Sequence, residues 1–140
     1  MKITVDLNVI LDVFLKRGDY IACEQIVTLC EEKVCDGYIP SHGIPTIYYV
    51  LQSNVGRKTA LEIVDDLIEM LTVVPVDNAL LRSARRLAFR DFEDAIVAAS
   101  AVESKSDFII TKNSRDFADS PVPAITPERF IHEIDLSFGS

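Results

Sequence analysis

The sequence predicts an α/β fold, a three-layer α/β/α sandwich with a mainly parallel central sheet of about five strands. Apolar runs of strand length alternate with helical patterns along the chain, and the connections between them are short. Such alternation is typical of βαβ units, in which helices join parallel strands and cover both faces of the sheet. No repeat or long linker divides the 140 residues, so we expect a single domain, residues 1–140.

The predicted strands are short apolar runs that end at polar or turn-forming residues. The first and the fourth are apolar on both faces, as expected for strands that helices cover on each side. The predicted strands comprise residues 2–6, 36–39, 72–75, 107–111 and 122–125.

The predicted helices lie between these strands and carry apolar residues at helical spacing. Asp77 and Asp91 are placed to cap two of them, and Ser41 is placed to cap a third. Pro127 suits the first turn of a final helix that begins near Thr126. The other predicted helices comprise residues 19–33, 41–54, 57–70, 77–89 and 91–104.

Composition and charge narrow the functional classes. No apolar run approaches the roughly 18 residues of a membrane-spanning helix, and no secretory signal opens the chain, so we expect a cytoplasmic protein without a membrane segment. Cys23, Cys30 and Cys35 lack the spacing of metal ligands and are expected to be reduced thiols. The net charge of −8 argues against binding of nucleic acid by the overall field. A local basic strip, or a carboxylate cluster that holds a cation, remains compatible with it.

Polar side chains follow three of the predicted strands, at the sheet edge where parallel sheets bind ligands. Asp6 comes directly after the first strand, where capping the next helix and lining a site at this edge are compatible roles. The same edge receives Asn8 after the first strand, Ser41 and His42 after the second, and Thr111, Asn113 and Asp116 after the fourth.

A further carboxylate lies on the helix predicted over 91–104. Asp94 begins a stripe that continues through Val97, Ala98 and Ala101, whereas Glu93 is expected to face solvent. A carboxylate on an inward-facing stripe requires a partner or a cation, because burial of an isolated charge is unfavourable. Asp94 is therefore a candidate ligand.

Asp6, Asp94 and Asp116 are predicted to converge at one edge of the sheet. Three carboxylates repel one another, and a hard cation such as Mg²⁺ or Mn²⁺, which prefers oxygen ligands, would stabilise the cluster. Such an ion activates a bound water and stabilises charge on a phosphoryl oxygen. Phosphodiester hydrolysis is the chemistry that fits.

Three motifs occur in order: VDLNVILDVF at 5–14, DFEDAIVAASA at 91–101 and IITKNSRDF at 109–117. With the tail SPVPAITPERFI, they make the chain resemble PIN domains from Ile3 to about Phe130. PIN domains are small α/β metal-dependent ribonucleases that include the VapC-type toxins of bacterial toxin–antitoxin pairs. The resemblance therefore implies RNA as substrate, Mg²⁺ or Mn²⁺ as cofactor and a small antitoxin protein as partner. It also leaves a homodimer open, with Tyr49 or its neighbours at the interface.

The resemblance assigns roles residue by residue. Asp6 matches the first acid, Asp94 the acid on the helix, and Asp116 the acid of the Thr-x-Asn-x-x-Asp motif. Asn8 and Thr111 are implied as polar supports. Asn113 is implied to orient Asp116 or a bound water. Asp91, the predicted helix cap, is a further candidate supporting residue from the sequence itself.

One position departs from the family pattern. The family usually carries a Glu where this sequence has Thr46, and a hydroxyl adds no negative charge to a metal site. Asp91 or His42 could compensate, although an ordinary polar position in the helix is the simpler interpretation of His42. A second interpretation of the chain is therefore a catalytically depleted PIN-fold module that binds RNA or a protein without cutting.

An unrelated alternative begins from the first motif, which also resembles the opening of haloacid-dehalogenase-type phosphatases. Asn8 replaces the second acid of that motif, however, and Ile10 replaces its Thr. No cap domain fits in the chain either.

A basic strip precedes Asp94 in the sequence. Its residues are predicted to lie within one helix, largely on one face, where they would steer an RNA backbone towards the acids. An ordinary solvated helix face is the alternative. The strip consists of Arg82, Arg85, Arg86 and Arg90.

Overall fold

A computed structural model describes residues 1–138, and the side chains of residues 1–135. Five strands form one sheet in which every neighbouring pair is parallel. The predicted α/β fold with a parallel central sheet is therefore confirmed. The strands are β1 (Lys2–Val5), β2 (Asp36–Pro40), β3 (Thr72–Val74), β4 (Phe108–Ile110) and β5 (Ala124–Ile125).

Seven α-helices and one short 3₁₀ helix connect or follow the strands in the described chain. The 3₁₀ helix spans Ser114–Phe117, directly after β4. The α-helices are α1 (Leu7–Leu15), α2 (Tyr20–Glu31), α3 (Gly43–Val55), α4 (Arg57–Met70), α5 (Asn78–Arg86), α6 (Phe92–Glu103) and α7 (Pro127–Phe138).

Apolar side chains are buried on both faces of the sheet because consecutive residues of a strand point to opposite sides. In β4, Ile109 packs with Val97 and Ala98 of α6, whereas Ile110 belongs to the larger core beneath α1 to α4. Phe130 of α7 is buried in that larger core and makes an edge-to-face contact with Phe108. The C-terminal helix thus packs into the same core as the first strand.

The strand order is β3-β2-β1-β4-β5, so the order in which strands are added to the sheet reverses at β1. From β1 the chain builds outward through β2 and β3, then returns to pair β4 with the other side of β1. Val5 is paired with Ile110, and the N–H of Asp6 donates to the carbonyl of Ile110 at 3.0 Å. The carboxyl ends of β1 and β4 therefore lie side by side, which is where such sheets bind ligands.

The predicted end of the helix over 77–89 is wrong. Helix α5 ends at Arg86, and Ala88 has a left-handed φ of 56°, so Arg90 lies in the connection to α6. The four arginines therefore do not share one helix. The physical reason is that Asp91 must be extended to cap α6, which interrupts helical backbone before Phe92.

Ser41 does not cap α3, contrary to prediction. That helix begins at Gly43, and the Ser41 hydroxyl instead accepts a hydrogen bond from the N–H of Val76 at 3.0 Å. Ser41 thus joins the end of β2 to the segment after β3. Asp77 and Asp91 do cap α5 and α6 as predicted.

The three cysteines are buried and unpaired within the described chain, as expected for reduced thiols. Burial raises the pKa of the Cys23 thiol to about 11 and that of Cys30 to about 12, which makes both unreactive at neutral pH. None of the helices in residues 1–138 combines the length and the apolar character that a membrane crossing requires.

Candidate metal centre

Asp6 lies at the junction between β1 and α1, where it both caps the helix and faces the ligand-binding edge of the sheet. Its Oδ1 accepts a hydrogen bond from the N–H of Asn8 at 3.2 Å, and its Oδ2 accepts one from the hydroxyl of Thr111 at 2.9 Å. Asp6 is 5% exposed, and Thr111 is fully buried. Both supports therefore hold the Asp6 carboxylate in one orientation.

The protonation of Asp6 reflects a balance between burial and these hydrogen bonds. Burial raises the pKa of Asp6 above its ordinary value, because water no longer solvates the charge. The N–H of Asn8 and the hydroxyl of Thr111 oppose that rise, since both stabilise the carboxylate form. A cation at this edge would favour the charged form further.

Asp94 lies in the first turn of α6, above a buried stripe of small residues. Val97, Ala98 and Ala101 are buried as the sequence predicted, and Asp94 itself is half-buried. Asp91 accepts a hydrogen bond from the N–H of Asp94 at 3.1 Å and so caps the helix. This cap places the Asp91 carboxylate beside that of Asp94.

The pKa of Asp94 is raised to about 7, the clearest electrostatic signal in this region. Partial burial is the main cause, and repulsion from Asp91, Glu93, Asp6 and Asp116 adds to it. The same four acids that raise this pKa come from three different parts of the chain. Asp6 and Asp116 are thus near enough to Asp94 to add to the negative field there, although Asp91 and Glu93 contribute more.

Asp116 occupies the 3₁₀ helix after β4 and remains exposed. Its N–H donates to the carbonyl of Asn113 at 3.0 Å, and the N–H of Asn113 donates to the Thr111 hydroxyl at 3.3 Å. A chain of short contacts thus connects the Asp116 segment, through Thr111, to Asp6. Asn113 contributes through its backbone here, whereas the resemblance implied a role that orients Asp116 or a water.

Glu93 does not simply face solvent, contrary to prediction. Its Oε2 lies 2.8 Å from Nε2 of His42, in the turn that opens α3. Carboxylate oxygens of Asp91, Glu93 and Asp94 all lie within 4.8 Å of one another, a spacing that could hold a metal ion. Glu93 is therefore a fourth candidate acid that sequence reasoning did not identify.

Thr46, the position where the family usually has Glu, does not supply a ligand to this group. Thr46 is exposed, and its hydroxyl donates to the carbonyl of His42 at 3.1 Å, one turn earlier in the helix. His42 instead links α3 to the acidic group through Glu93. An acidic side chain is therefore present between α3 and α6, but α6 supplies it through Glu93, and not α3 at position 46.

The donor set fits a hard divalent cation. Within residues 1–135, neither Asp6, Asp94 nor Asp116 forms an ion pair with a Lys or Arg side chain. All the candidate ligands are carboxylate oxygens, which Mg²⁺ and Mn²⁺ prefer. A cluster of like charges without a protein counter-ion is the arrangement that a bound cation would stabilise.

A cleft of about 700 Å³ adjoins the acids and carries basic as well as acidic groups. Asp94 and Asp116 line it, together with Arg90 and Arg115. Arg82, Arg85 and Arg86 lie on α5 and do not contribute to this lining. Of the four predicted arginines, Arg90 alone therefore lies at the acids, and Arg115 joins it there.

Two residues of the site were thus missed from the sequence. Glu93 precedes Asp94 directly, and its link to His42 depends on packing between α3 and α6 that no local pattern encodes. Arg115 lies inside the motif IITKNSRDF, next to Asp116, and its position beside a candidate acid is a signal that could have identified it.

Comparisons with known proteins bear on the fold and the family of the chain. The family model described as PIN domain matches residues 2–115. Ribonuclease VapC1 of Aquifex aeolicus is 28% identical over 135 residues, which cover 92% of each chain. The same opening motif is thus part of a PIN-domain match, which disfavours the phosphatase interpretation.

Solved structures show the same fold. VapBC2 of Rickettsia felis, bound to a DNA fragment from its promoter, aligns with a TM-score of 0.68 at 15% identity, covering 90% of this chain and 98% of the other. Mycobacterium tuberculosis VapC20, described as a sarcin–ricin-loop-cleaving toxin, aligns with a TM-score of 0.60 at 15% identity, covering 76% and 86%. With its parallel sheet, its acids at the ends of β1 and β4, and the family match over residues 2–115, the chain belongs to the PIN domain family.

Proposed function

We propose that the chain is a metal-dependent endoribonuclease that hydrolyses RNA phosphodiester bonds, and that it is the toxin of a toxin–antitoxin pair. The observation that carries the proposal is the acidic group on α6: carboxylate oxygens of Asp91, Glu93 and Asp94 lie within 4.8 Å of one another, and Asp6 and Asp116 add to the negative field at Asp94. Within the described residues, none of Asp6, Asp94 and Asp116 pairs with a Lys or Arg side chain. The ribonuclease name of the Aquifex aeolicus relative supports the choice of RNA as substrate. The unpaired, unreactive cysteines favour a reducing compartment, and we place the activity in the cytoplasm.

In the proposed reaction, Asp6, Asp94 and Asp116 hold Mg²⁺ or Mn²⁺ at the carboxyl ends of β1 and β4. When bound, the ion lowers the pKa of water and stabilises negative charge on a phosphoryl oxygen. Thr111 and the N–H of Asn8 fix the orientation of the Asp6 carboxylate, as residues that support a metal ligand would. Glu93, oriented by His42, supplies the charge that Thr46 does not.

The RNA backbone is proposed to enter through the cleft that Arg90 and Arg115 line. Guanidinium groups suit this role because they bind phosphate with paired N–H donors. Arg82, Arg85 and Arg86 extend the basic surface along α5, where they would contact phosphates farther from the cut. Their contribution is electrostatic and would be sensitive to salt.

A second candidate function is a PIN-fold module that binds RNA or a protein without cutting. Thr46 favours it, since its hydroxyl is engaged with a backbone carbonyl and adds no charge to the acids. The position of Glu93 favours the nuclease instead, because it restores a fourth acid near Asp91 and Asp94. Metal affinity separates the two functions.

We further propose a small antitoxin protein as partner, because the similar solved structures include VapBC and toxin–antitoxin complexes. A homodimer is proposed as well, with Tyr49 of α3 in its interface; this side chain is 68% exposed. Exposed aromatic residues are enriched at protein interfaces. Co-expression with the product of the adjacent gene, followed by size-exclusion chromatography, is expected to give a stable complex. A chain that elutes alone would contradict the partner.

Cleavage of RNA tests the proposed activity directly. We expect Asp94→Asn to lower the rate of RNA cleavage with Mn²⁺ by about a hundredfold or more, because the ion loses a charged ligand. The exposed Asp66→Asn on α4 is the matched control and should cut at the wild-type rate. Equal rates for wild type and Asp94→Asn would remove Asp94 from the mechanism.

The stability of metal-free protein should depend on pH through Asp94. Its folded-state pKa of about 7 lies above the ordinary value of 3.8, so the folded state binds the extra proton between these values. The free energy of unfolding therefore falls as pH rises through this range. We expect Asp94→Asn to be more stable than wild type by about 1 kcal/mol near pH 8, allowing for its partial exposure, and to lose this advantage near pH 4.

Urea denaturation with a chelator present measures this difference, with Asp66→Asn, an exposed position on α4, as the control. A destabilised Asp94→Asn at both pH values would show that repulsion among the acids is not significant. Added Mn²⁺ should reverse the order, since the ion stabilises the chain that binds it better.

Glu93 is expected to contribute to metal affinity. Glu93→Gln keeps the size of the side chain but removes one negative charge, so the dissociation constant for Mn²⁺ should rise by about tenfold. Glu103→Gln, an exposed acid at the other end of the same helix, should leave it unchanged. Isothermal calorimetry measures both. Identical constants would exclude Glu93 as a ligand, and no binding by wild type would favour the non-cutting module.

A further inference from the structure

A second polar cleft borders the acids on the side of α1. It has a volume of about 380 Å³ and lies between the end of α1 and the segment that follows β4. Its lining is entirely polar or charged and has a single acid among two cations. The lining residues are Asn8, Asp12, Arg17, Lys112 and Asn113.

Asp12 organises the two cations of this cleft. It is 1% exposed on α1, a position where a carboxylate requires paired charges. Its Oδ1 lies 3.1 Å from Nε of Arg17, and its Oδ2 forms an ion pair with Nζ of Lys112. One buried carboxylate thus fixes two basic side chains that come from different parts of the chain.

The cations retain capacity beyond Asp12. Arg17 contacts Asp12 through Nε, which carries one of the five N–H donors of a guanidinium group. Lys112 carries three N–H donors on its ammonium group. The Arg17 and Lys112 side chains are 48% and 38% exposed. Two cations around one carboxylate leave a net positive charge that faces an open cleft.

The backbone holds this arrangement open. Helix α1 ends with Lys16 in the left-handed region, and the N–H of Arg17 donates to the carbonyl of Asp12 at 3.1 Å. Gly18 also has a positive φ, of 54°. A Cβ atom there would lie 3.5 Å from Nζ of Lys112 and 3.9 Å from Oδ2 of Asp12. A larger side chain at position 18 would therefore stand over the ion pair.

The cleft is contiguous with the metal centre through the supports of Asp6. Asn8 lines the cleft, and its N–H donates to Oδ1 of Asp6. On the other wall, the N–H of Asn113 donates to the hydroxyl of Thr111, which donates to Oδ2 of Asp6. Asn8 and Asn113 therefore lie between the positive cleft and Asp6: both line the cleft, and both are connected to Asp6 by hydrogen bonds, Asn8 directly and Asn113 through Thr111.

We propose that this cleft is a phosphate subsite, in which Arg17 and Lys112 bind the phosphodiester of an RNA nucleotide next to the one that is cut. The proposal rests on the proposed ribonuclease function. One cation would be enough to neutralise the buried Asp12 carboxylate. Because Arg17 and Lys112 both pair with it, one positive charge remains in excess at an open surface. Asn8 and Asn113 add amide groups that donate hydrogen bonds to phosphate oxygens.

Salt dependence of RNA binding measures the interactions with phosphate without cleavage. A short fluorescein-labelled single-stranded RNA of mixed sequence is titrated with the Asp94→Asn chain, with Ca²⁺ in place of Mg²⁺ and gel analysis to confirm intact probe. Removing the cation that binds one phosphate should reduce the slope of log affinity against log salt by about 0.7. We expect that reduction for Arg17→Gln and for Lys112→Gln, while Arg17→Lys and Lys112→Arg retain the slope.

The matched control is Lys105→Gln, an exposed lysine before the amino end of β4, whereas Lys112 follows its carboxyl end. Thermal unfolding of each variant checks that it folds. Unchanged slopes in both Gln variants, with RNA cleavage by wild type intact, overturn the subsite and leave the ion pairs purely structural. Loss of RNA binding and cleavage by all chains, wild type included, overturns the ribonuclease function and the subsite with it.

Discussion

The parallel pairing of β1 with β4 is the constraint on which the rest of the site depends. It brings Asp6 and Thr111 into hydrogen-bonding contact although 105 positions separate them. Because the strands pair through backbone hydrogen bonds, their side chains can be apolar and buried up to Val5 in β1 and Ile110 in β4. The first polar residue after each strand then emerges at the same edge. Asp116 is connected to that contact through the turn at Asn113, whereas the acids of α6 are positioned by the Asp91 cap and by His42.

Helix capping accounts for much of the remaining arrangement. Asp6 and Asp91 each satisfy free N–H groups at a helix start, so each carboxylate is fixed by a role that is structural in itself. The main unfavourable contribution to folding at this site is electrostatic. It is largest at Asp94, where burial and the repulsion of four neighbouring acids both disfavour the charged carboxylate. A folded chain that keeps this repulsion has a site whose free energy a cation would lower, and stability elsewhere in the core compensates for it.

Much of the fold could be predicted from the sequence, and several of the failures concern contacts between elements. Strand–helix alternation predicted the parallel sheet, and the polar residues after the first and fourth strands predicted that the ends of β1 and β4 carry Asp6 and Thr111 side by side. Glu93 was assigned to solvent because helical periodicity describes its own helix and not the approach of α3, which brings His42 to it. Asp12 likewise is only a polar interruption of an apolar helix until folding supplies Arg17 and Lys112. Local patterns locate elements, whereas contacts between elements decide which charges meet.

The distribution of charge resolves the apparent conflict between an acidic chain and the anionic substrate that we propose for it. A net charge of −8 opposes binding of RNA at long range, and salt screens that term beyond a Debye length of about 10 Å. At the site, the two clefts that border the acids carry Arg90 and Arg115 in one and Arg17 and Lys112 in the other. In the proposed complex, phosphates would meet cations in both clefts, and the bound metal would neutralise the acids between them. RNA affinity and metal binding are then coupled. RNA without the metal would place phosphates beside uncompensated carboxylates, and the metal without RNA would lie between the basic side chains of the two clefts with no phosphate to offset their repulsion.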